Sequence, residues 1–142
     1  MVWHSDLAPL DGPGEGASSA LRAVGWLEGS RPFPTGPVER AVYERLLDLL
    51  RDLWQPAISM GFHRCDLCLY EGPTGKRDLY VPGDGVVFVC PELIAHYMNA
   101  HGYAPPGEFC RAVLACPPML SMDYLKSSLA NGGRPLVKSN HG

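Results

Sequence analysis

Two pairs of side chains in this sequence have the types and spacing to do chemistry. Cys65 and Cys68 lie in "GFHRCDLCLY", and His96 and His101 lie in "HYMNAH", with 27 residues between the pairs. Thiolates and imidazoles are the preferred ligands of zinc, which takes four of them in a tetrahedron at structural sites. Two residues between the cysteines let a tight turn aim both sulfurs at one ion, while free backbone N–H groups soften the thiolate charge. The expected cofactor is therefore a structural Zn2+ held by Cys65, Cys68, His96 and His101, and no catalytic residue is assigned.

Other assignments of these residues compete with that one. His63, two residues before Cys65, and Cys90 are substitute ligands. A redox C-x2-C belongs in a thioredoxin-like βαβ setting, whereas a β-meander is expected here. An iron–sulfur cluster wants four cysteines. Cys110 and Cys116, six apart on one expected helix, read as buried small hydrophobes. Cys90 stands just before an expected helix start, where a thiol pKa can fall, but it also suits a small filler at a strand–helix junction. A catalytic zinc would keep one position open for water. If His101 did not bind, Glu92, four residues before His96, could act as its base. The H-E-x-x-H pattern, a Gly-rich phosphate loop, a G-x-S-x-G elbow and a deaminase H-x-E motif are all missing from the sequence.

The elements that must position these ligands follow from periodicity and punctuation. "SSALRAVGWLEGS" suggests a short helix capped by Ser18 or Ser19 and stopped by Gly29. "RPFPTGP" has too many prolines for regular structure. "VERAVYERLLDLLRDLW" is the strongest helix, with Val38, Val42, Leu46, Leu49, Leu50 and Leu53 on one stripe, Pro37 at its start and Pro56 beyond its end. "LCLYE", "RDLYV" and "VVFV" suggest three strands joined by Gly/Pro turns. "CPELIAHYMNAHGY" is a helix with Pro91 in its first turn and Gly102 as its stop. "PPGEFCRAVLACPP" holds a last helix striped by Phe109, Ala112 or Val113, and Cys116.

These elements carry the two ligand pairs together. With the cysteine turn at the bottom of the first strand, the chain runs up, down and up, and the helix then starts at the top. Five strand residues span about 17 Å and ten helical residues about 15 Å, so the helix returns its second half to the cysteines. Positions five apart differ by about 140° on an ideal helix. The last turn is therefore expected to loosen near His101, aided by Gly102.

The site resembles a two-Cys, two-His zinc finger of the ββα type with an extra strand and a long spacer, over residues 65 to 101. More widely, "AVGWLEGSRPFPTG", "GFHRCDLC" and "PELIAHYMNAHGYAPPGEFCRAV" resemble an uncharacterised bacterial family of small zinc-binding domains, over about residues 20 to 117. That resemblance implies an intact compact unit and attaches no activity to it.

Composition bounds the rest. The 142 residues suit one domain, and a 46% hydrophobic share supports a core. Gly and Pro, at 16 and 14, predict short elements and many turns. A net charge of −3 and no dense basic run argue against nucleic-acid binding. No apolar run reaches membrane-spanning length, and no signal peptide is evident. A cytoplasmic location is expected, where reduced thiols favour metal over disulfide, as does the odd count of five cysteines. The expected fold class is α+β: a short antiparallel β-meander fastened to a helix by zinc, with additional packing helices. Residues 1–18 are expected as a flexible arm, 19–120 as the domain and 121–142 as a loosely ordered tail. The expected function is a protein-interaction or adaptor module with a protein partner, in which Trp26 and Phe33 are possible anchors. A zinc-dependent hydrolytic enzyme and a nucleic-acid-binding finger are the alternatives.

Overall fold

The computed structural model describes residues 3–10, 20–55, 63–69, 71–134 and 136. The architecture is α+β. Three strands, β1 (Leu21–Ala23), β4 (Asp78–Pro82) and β5 (Val87–Pro91), form a sheet in the order β1-β5-β4. The short strands β2 (His63–Arg64) and β3 (Thr74–Gly75) pair as a separate hairpin. The helices named among the described residues are α1 (Arg40–Arg51), α2 (Ile94–His101), α3 (Gly107–Ala115) and α4 (Met122–Ala130).

The sheet is buried on both faces, and strand alternation sorts its residues between two cores. Leu79, Val81, Phe88 and Cys90 point into the larger core with Val42, Leu46 and Leu49 of α1 and Phe109 and Val113 of α3. Tyr80, Val87 and Val89 point the other way, onto Leu10, Leu21, Ala23, Trp26 and Leu136. α1 forms as its stripe predicts, with Val42, Leu46 and Leu49 buried and Val38, Leu50 and Leu53 packed partly against the same core. Pro56 lies outside the described residues. α3 likewise buries Phe109, Ala112 and Val113.

Three expectations are overturned. The segment "LRA" is a strand, not a helix: β1 runs parallel to β5, with Leu21 opposite Val87 and Ala23 opposite Val89. Gly25 breaks any helix there, because its φ of 79° is left-handed. Ser18 and Ser19 lie outside the described residues. The meander also differs, since the described residues of "LCLYE" contribute no strand. Residues 67–69 bend instead, leaving Leu69 94% exposed, and the third place in the sheet is taken by β1. Finally, Pro91 is the last residue of β5, paired with Asp78, and α2 begins three residues later.

Both ends of the chain are integrated where they are described. Residues 3–10 lie along β1: the Leu7 N–H donates to the Ala23 carbonyl at 2.7 Å, Ala23 to Ala8 at 2.9 Å and Leu10 to Leu21 at 3.1 Å. Toward the other end, Ser121 caps α4 by accepting from the Tyr124 N–H at 3.1 Å. The Tyr124 hydroxyl, itself buried, donates to the Tyr80 carbonyl at 2.6 Å. Residues 11–19 and 137–142 lie outside the described residues.

Candidate metal centre

The two cysteines sit where β2 leaves its hairpin. The Cys65 N–H donates to the Pro73 carbonyl at 3.0 Å, so Cys65 is the last residue tied across the β2–β3 ladder. The chain then bends through 67–69 and brings Cys68 back beside Cys65, with the sulfurs 3.8 Å apart. Two outside contacts hold this bend. The Gly29 N–H donates to Asp66 Oδ1 at 2.8 Å. At the closing side, Gly72 lies so near Cys65 that a Cβ added there would collide with the Cys65 carbonyl.

The histidines come from opposite ends of α2: His96 from its first turn and His101 from its last residue. This differs from the expected placement of both in the second half. The loosened last turn is present. Gly102 adopts φ 70°, and both its N–H and that of Tyr103 go to the Tyr97 carbonyl, five and six residues back instead of four. A turn widened in this way brings positions five apart toward one side, as single i→i+5 turns do. The two imidazole rings stand 5.1 Å apart, edge to face.

The segment after α2 is clamped by the proline-rich loop. The Gly36 N–H donates to the Gly102 carbonyl at 3.1 Å, and the Ala104 N–H to the Pro34 carbonyl at 3.0 Å. The loop "PFPTG" thus forms a backbone bridge on the chain just beyond His101.

The result is a four-donor cluster. One ligand atom from each of Cys65, Cys68, His96 and His101 lies within 4.8 Å of all the others. His101 Nε2 is 3.4 Å from the Cys65 sulfur and 3.5 Å from the Cys68 sulfur, and His96 Nε2 is 3.4 Å from the Cys68 sulfur. Metal–sulfur bonds of about 2.3 Å and metal–nitrogen bonds of about 2.0 Å at tetrahedral angles require S···S near 3.8 Å and S···N near 3.5 Å. The sulfur–sulfur separation and three of the sulfur–nitrogen separations meet these values, so the four residues could hold a metal ion. Burial pushes the Cys65 thiol up, while the N–H groups of Leu67 and Cys68, aimed at its sulfur, pull the other way. Burial and the neighbouring His101 hold His96 below its ordinary value, toward the neutral imidazole that ligates.

The substitute ligands stand elsewhere. His63 is buried in β2, edge-on to Trp26 at 5.3 Å. Cys90 is inside β5, where its thiol donates to the Leu79 carbonyl at 3.7 Å and burial pushes its pKa well up. It is a core filler, not a thiol activated by a helix end. Burial also raises the Cys110 thiol, and it pushes Cys116 up to about 11.

Glu92 is engaged by the β3–β4 turn. Its Oε1 accepts from the Lys76 and Arg77 N–H groups, each at 2.9 Å, and its Oε2 pairs with the Arg77 guanidinium at 3.1 Å. Gly75 permits this approach, since a Cβ there would come within 2.6 Å of the Glu92 side chain. The carboxylate is a strap between the β3–β4 turn and the start of α2. Burial pushes its pKa up, but the two N–H groups and Arg77 outweigh that and hold it below the ordinary value. A carboxyl depressed in the folded state stabilises fully above its unfolded pKa, here 4.5, and loses that contribution as pH falls through the folded value. Glu92→Gln should lower stability at pH 7 by about 1.5 kcal/mol, or about 5 °C in thermal midpoint. The gap from the parent should close as melts are taken below pH 4.5.

The fold and the cluster define a small α+β domain with a Cys2His2 constellation between a hairpin tip and a helix. The chain belongs to the family described as "Domain of unknown function (DUF7919)", whose model matches residues 2–114 and so takes in the whole cluster. No curated protein and no solved structure matches it. Among the described residues, no helix is long and apolar enough to cross a membrane.

The sequence left several supporting residues unread. Asp66 lies inside the quoted motif, but its partner Gly29 does not, and Gly72, beside the motif, closes on Cys65 only once the chain has bent. The role of "PFPTG" was hidden because its partner segment begins at Gly102, far along the chain.

Proposed function

We propose that this domain binds one zinc ion as a structural centre and serves as a protein-interaction module in the cytoplasm. The observation that carries the zinc assignment is the clustering of two thiols and two imidazoles, with the sulfur–sulfur and three sulfur–nitrogen separations expected of a tetrahedral N2S2 site. Four protein ligands fill that geometry and favour a structural ion over a catalytic one. The engagement of Glu92 with Lys76 and Arg77 removes the base that a hydrolytic reading would use. Helix α2, "IAHYMNAH", carries neither lysine nor arginine, so it lacks the phosphate contacts of a nucleic-acid-reading helix.

The interaction role rests on different residues from those the sequence offered. Trp26 is only 3% exposed and donates its indole N–H to the Val89 carbonyl, so it is core. Phe33 is half-buried against Tyr103. The most exposed large apolar side chains among the described residues are instead Leu69 on the cysteine bend, Leu120 before α4 and Met122 at the start of α4, at 94%, 75% and 65%.

The test of the metal assignment is elemental analysis together with cobalt substitution. One zinc per chain and the visible bands of a tetrahedral N2S2 cobalt site are expected, with His96→Ala losing both the band pattern and tight binding. A chain that takes up no stoichiometric zinc, or an octahedral cobalt spectrum, would overturn it.

A further inference from the structure

The N-terminal segment, which the sequence presented as an arm, touches the support of His101. Tyr103 is fully buried two residues beyond that histidine. Its hydroxyl donates to the Asp6 carboxylate, 2.9 Å from Oδ1 and 2.8 Å from Oδ2. Asp6 Oδ1 also accepts the Gly25 N–H at 3.1 Å. Gly25 is in turn pressed against the first residue of α2, because a Cβ there would come within 3.1 Å of Ile94. One carboxylate thereby joins three separate stretches of chain: residues 3–10, the segment after β1, and the segment after α2.

The backbone of Tyr103 belongs to the widened turn that aims His101. Its N–H is one of the two that converge on the Tyr97 carbonyl, and Tyr103 pairs with Thr35 in an isolated bridge. The ring is further fixed by Phe33, edge-on at 6.2 Å. A phenol held at its far end by a carboxylate cannot swing, and the turn at its near end is fixed with it. Hydrogen bonds to an ionised acceptor are about twice as strong as neutral ones, so Asp6 is the strong end of this tether.

We infer that Asp6 is a positioning residue for the metal centre, acting through Tyr103 on the turn that presents His101. This rests on the zinc assignment above and deepens it. The extent of the family match supports it independently. The match begins at residue 2, so the N-terminal segment lies within the family's domain. It also means that a fragment begun at residue 19 lacks part of the centre's support.

The test is zinc affinity of the full chain, measured by competition with a chromophoric chelator. The proteins compared are the parent, Asp6→Ala, Tyr103→Phe, His101→Ala and the Asp6→Ala/His101→Ala double variant. Loss of an outer support to a metal ligand typically weakens binding 10- to 100-fold, so Asp6→Ala and Tyr103→Phe should each weaken zinc by about 10-fold. The cobalt band pattern should shift in both. In the His101→Ala background, removing Asp6 should change affinity less than about twofold, because the histidine it acts through is gone. Parent-like zinc affinity in both single variants would overturn the inference. So would an Asp6→Ala penalty of full size in the His101→Ala background, which marks general stabilisation. If Asp6→Ala does not fold, Tyr103→Phe and Asp6→Asn, each paired with His101→Ala, carry the same comparison. A parent chain that takes up no zinc would overturn the zinc assignment itself, which separates that failure from this one.

Discussion

Cys65→Ser should abolish stoichiometric metal binding and lower the thermal midpoint by about 15 °C relative to the zinc-loaded parent. The magnitude comes from mass action. With free zinc held a thousandfold above its dissociation constant, binding stabilises the native state by about 4 kcal/mol, and a domain of this length gains about 3–4 °C per kcal/mol. The loss should be local in its first effect. The β2–β3 hairpin is a sheet of its own, separate from β1-β5-β4. Among the described residues, its bend is held by the Gly29–Asp66 hydrogen bond, by the close approach of Gly72 and by packing of Cys65 and Cys68 at the edge of the larger core. Hydrogen exchange should therefore accelerate over residues 63–75 and at the end of α2. The β4–β5 ladder, buried on both faces, should stay protected. Chelation of zinc from the parent should give the same pattern. A variant that retains one zinc per chain and melts with the parent would overturn the assignment of Cys65.

This expectation is milder than the sequence suggested. A Gly- and Pro-rich chain with a three-strand meander has little apolar surface to bury, and such a domain would unfold without its ion. The structure has more core than that, because the sheet gains a second buried face from residues the sequence did not assign to it. Leu10, Leu21, Ala23, Trp26 and Leu136 cover Tyr80, Val87 and Val89. A metal held at the cluster would then fasten the β2–β3 hairpin to a sheet and helices that pack without it.

What was legible depended on the range of the interaction that decides each element. α1 announces itself within one window, since Val42, Leu46 and Leu49 recur at helical spacing. β4 and β5 are adjacent in sequence and joined by a Gly-containing turn, so their pairing is a local event. The clustering of Cys65 and Cys68 with His96 and His101 was legible because cysteine and histidine pairs at such spacings have few other uses. β1 was not legible because the strand it joins in the sheet, β5, lies 66 residues away and runs parallel. Nothing within "ALRAVGWL" states that this edge exists. The bend at 67–69 was misread for a related reason. Leu67, Cys68 and Leu69 have strand-like composition, but the demand that two sulfurs meet at 3.8 Å bends the chain. α4 was hidden by its polarity, as only Tyr124 and Ser128 are buried along it. Its cap, Ser121 followed by Asp123 in the first turn, was the one local signal available.

Phe109→Ala provides the opposite experiment to removal of the metal. Phe109 is fully buried on α3, and its ring meets that of Phe88 edge to face at 5.7 Å. Phe88 belongs to β5, the central strand, so this contact joins the helical layer to the middle of the sheet. Truncating a buried phenylalanine to alanine costs about 3–5 kcal/mol, from lost transfer energy and from the cavity left behind. The thermal midpoint should fall by about 10–15 °C, close to the shift from losing zinc, but by another route. α3 supplies no ligand to the cluster. A domain with the usual 5–15 kcal/mol of stability, raised further by the ion, stays folded at 25 °C after such a loss. The variant should consequently bind zinc at 25 °C within about twofold of the parent, and any weakening should follow from the population of unfolded chain alone. Its hydrogen exchange should accelerate first in the β4–β5 ladder and α3, with the hairpin protected as long as zinc is bound. If Phe109→Ala instead released zinc from chains that remain folded, the core and the metal centre would form one cooperative unit, and the separation argued from the two independent sheets would be wrong.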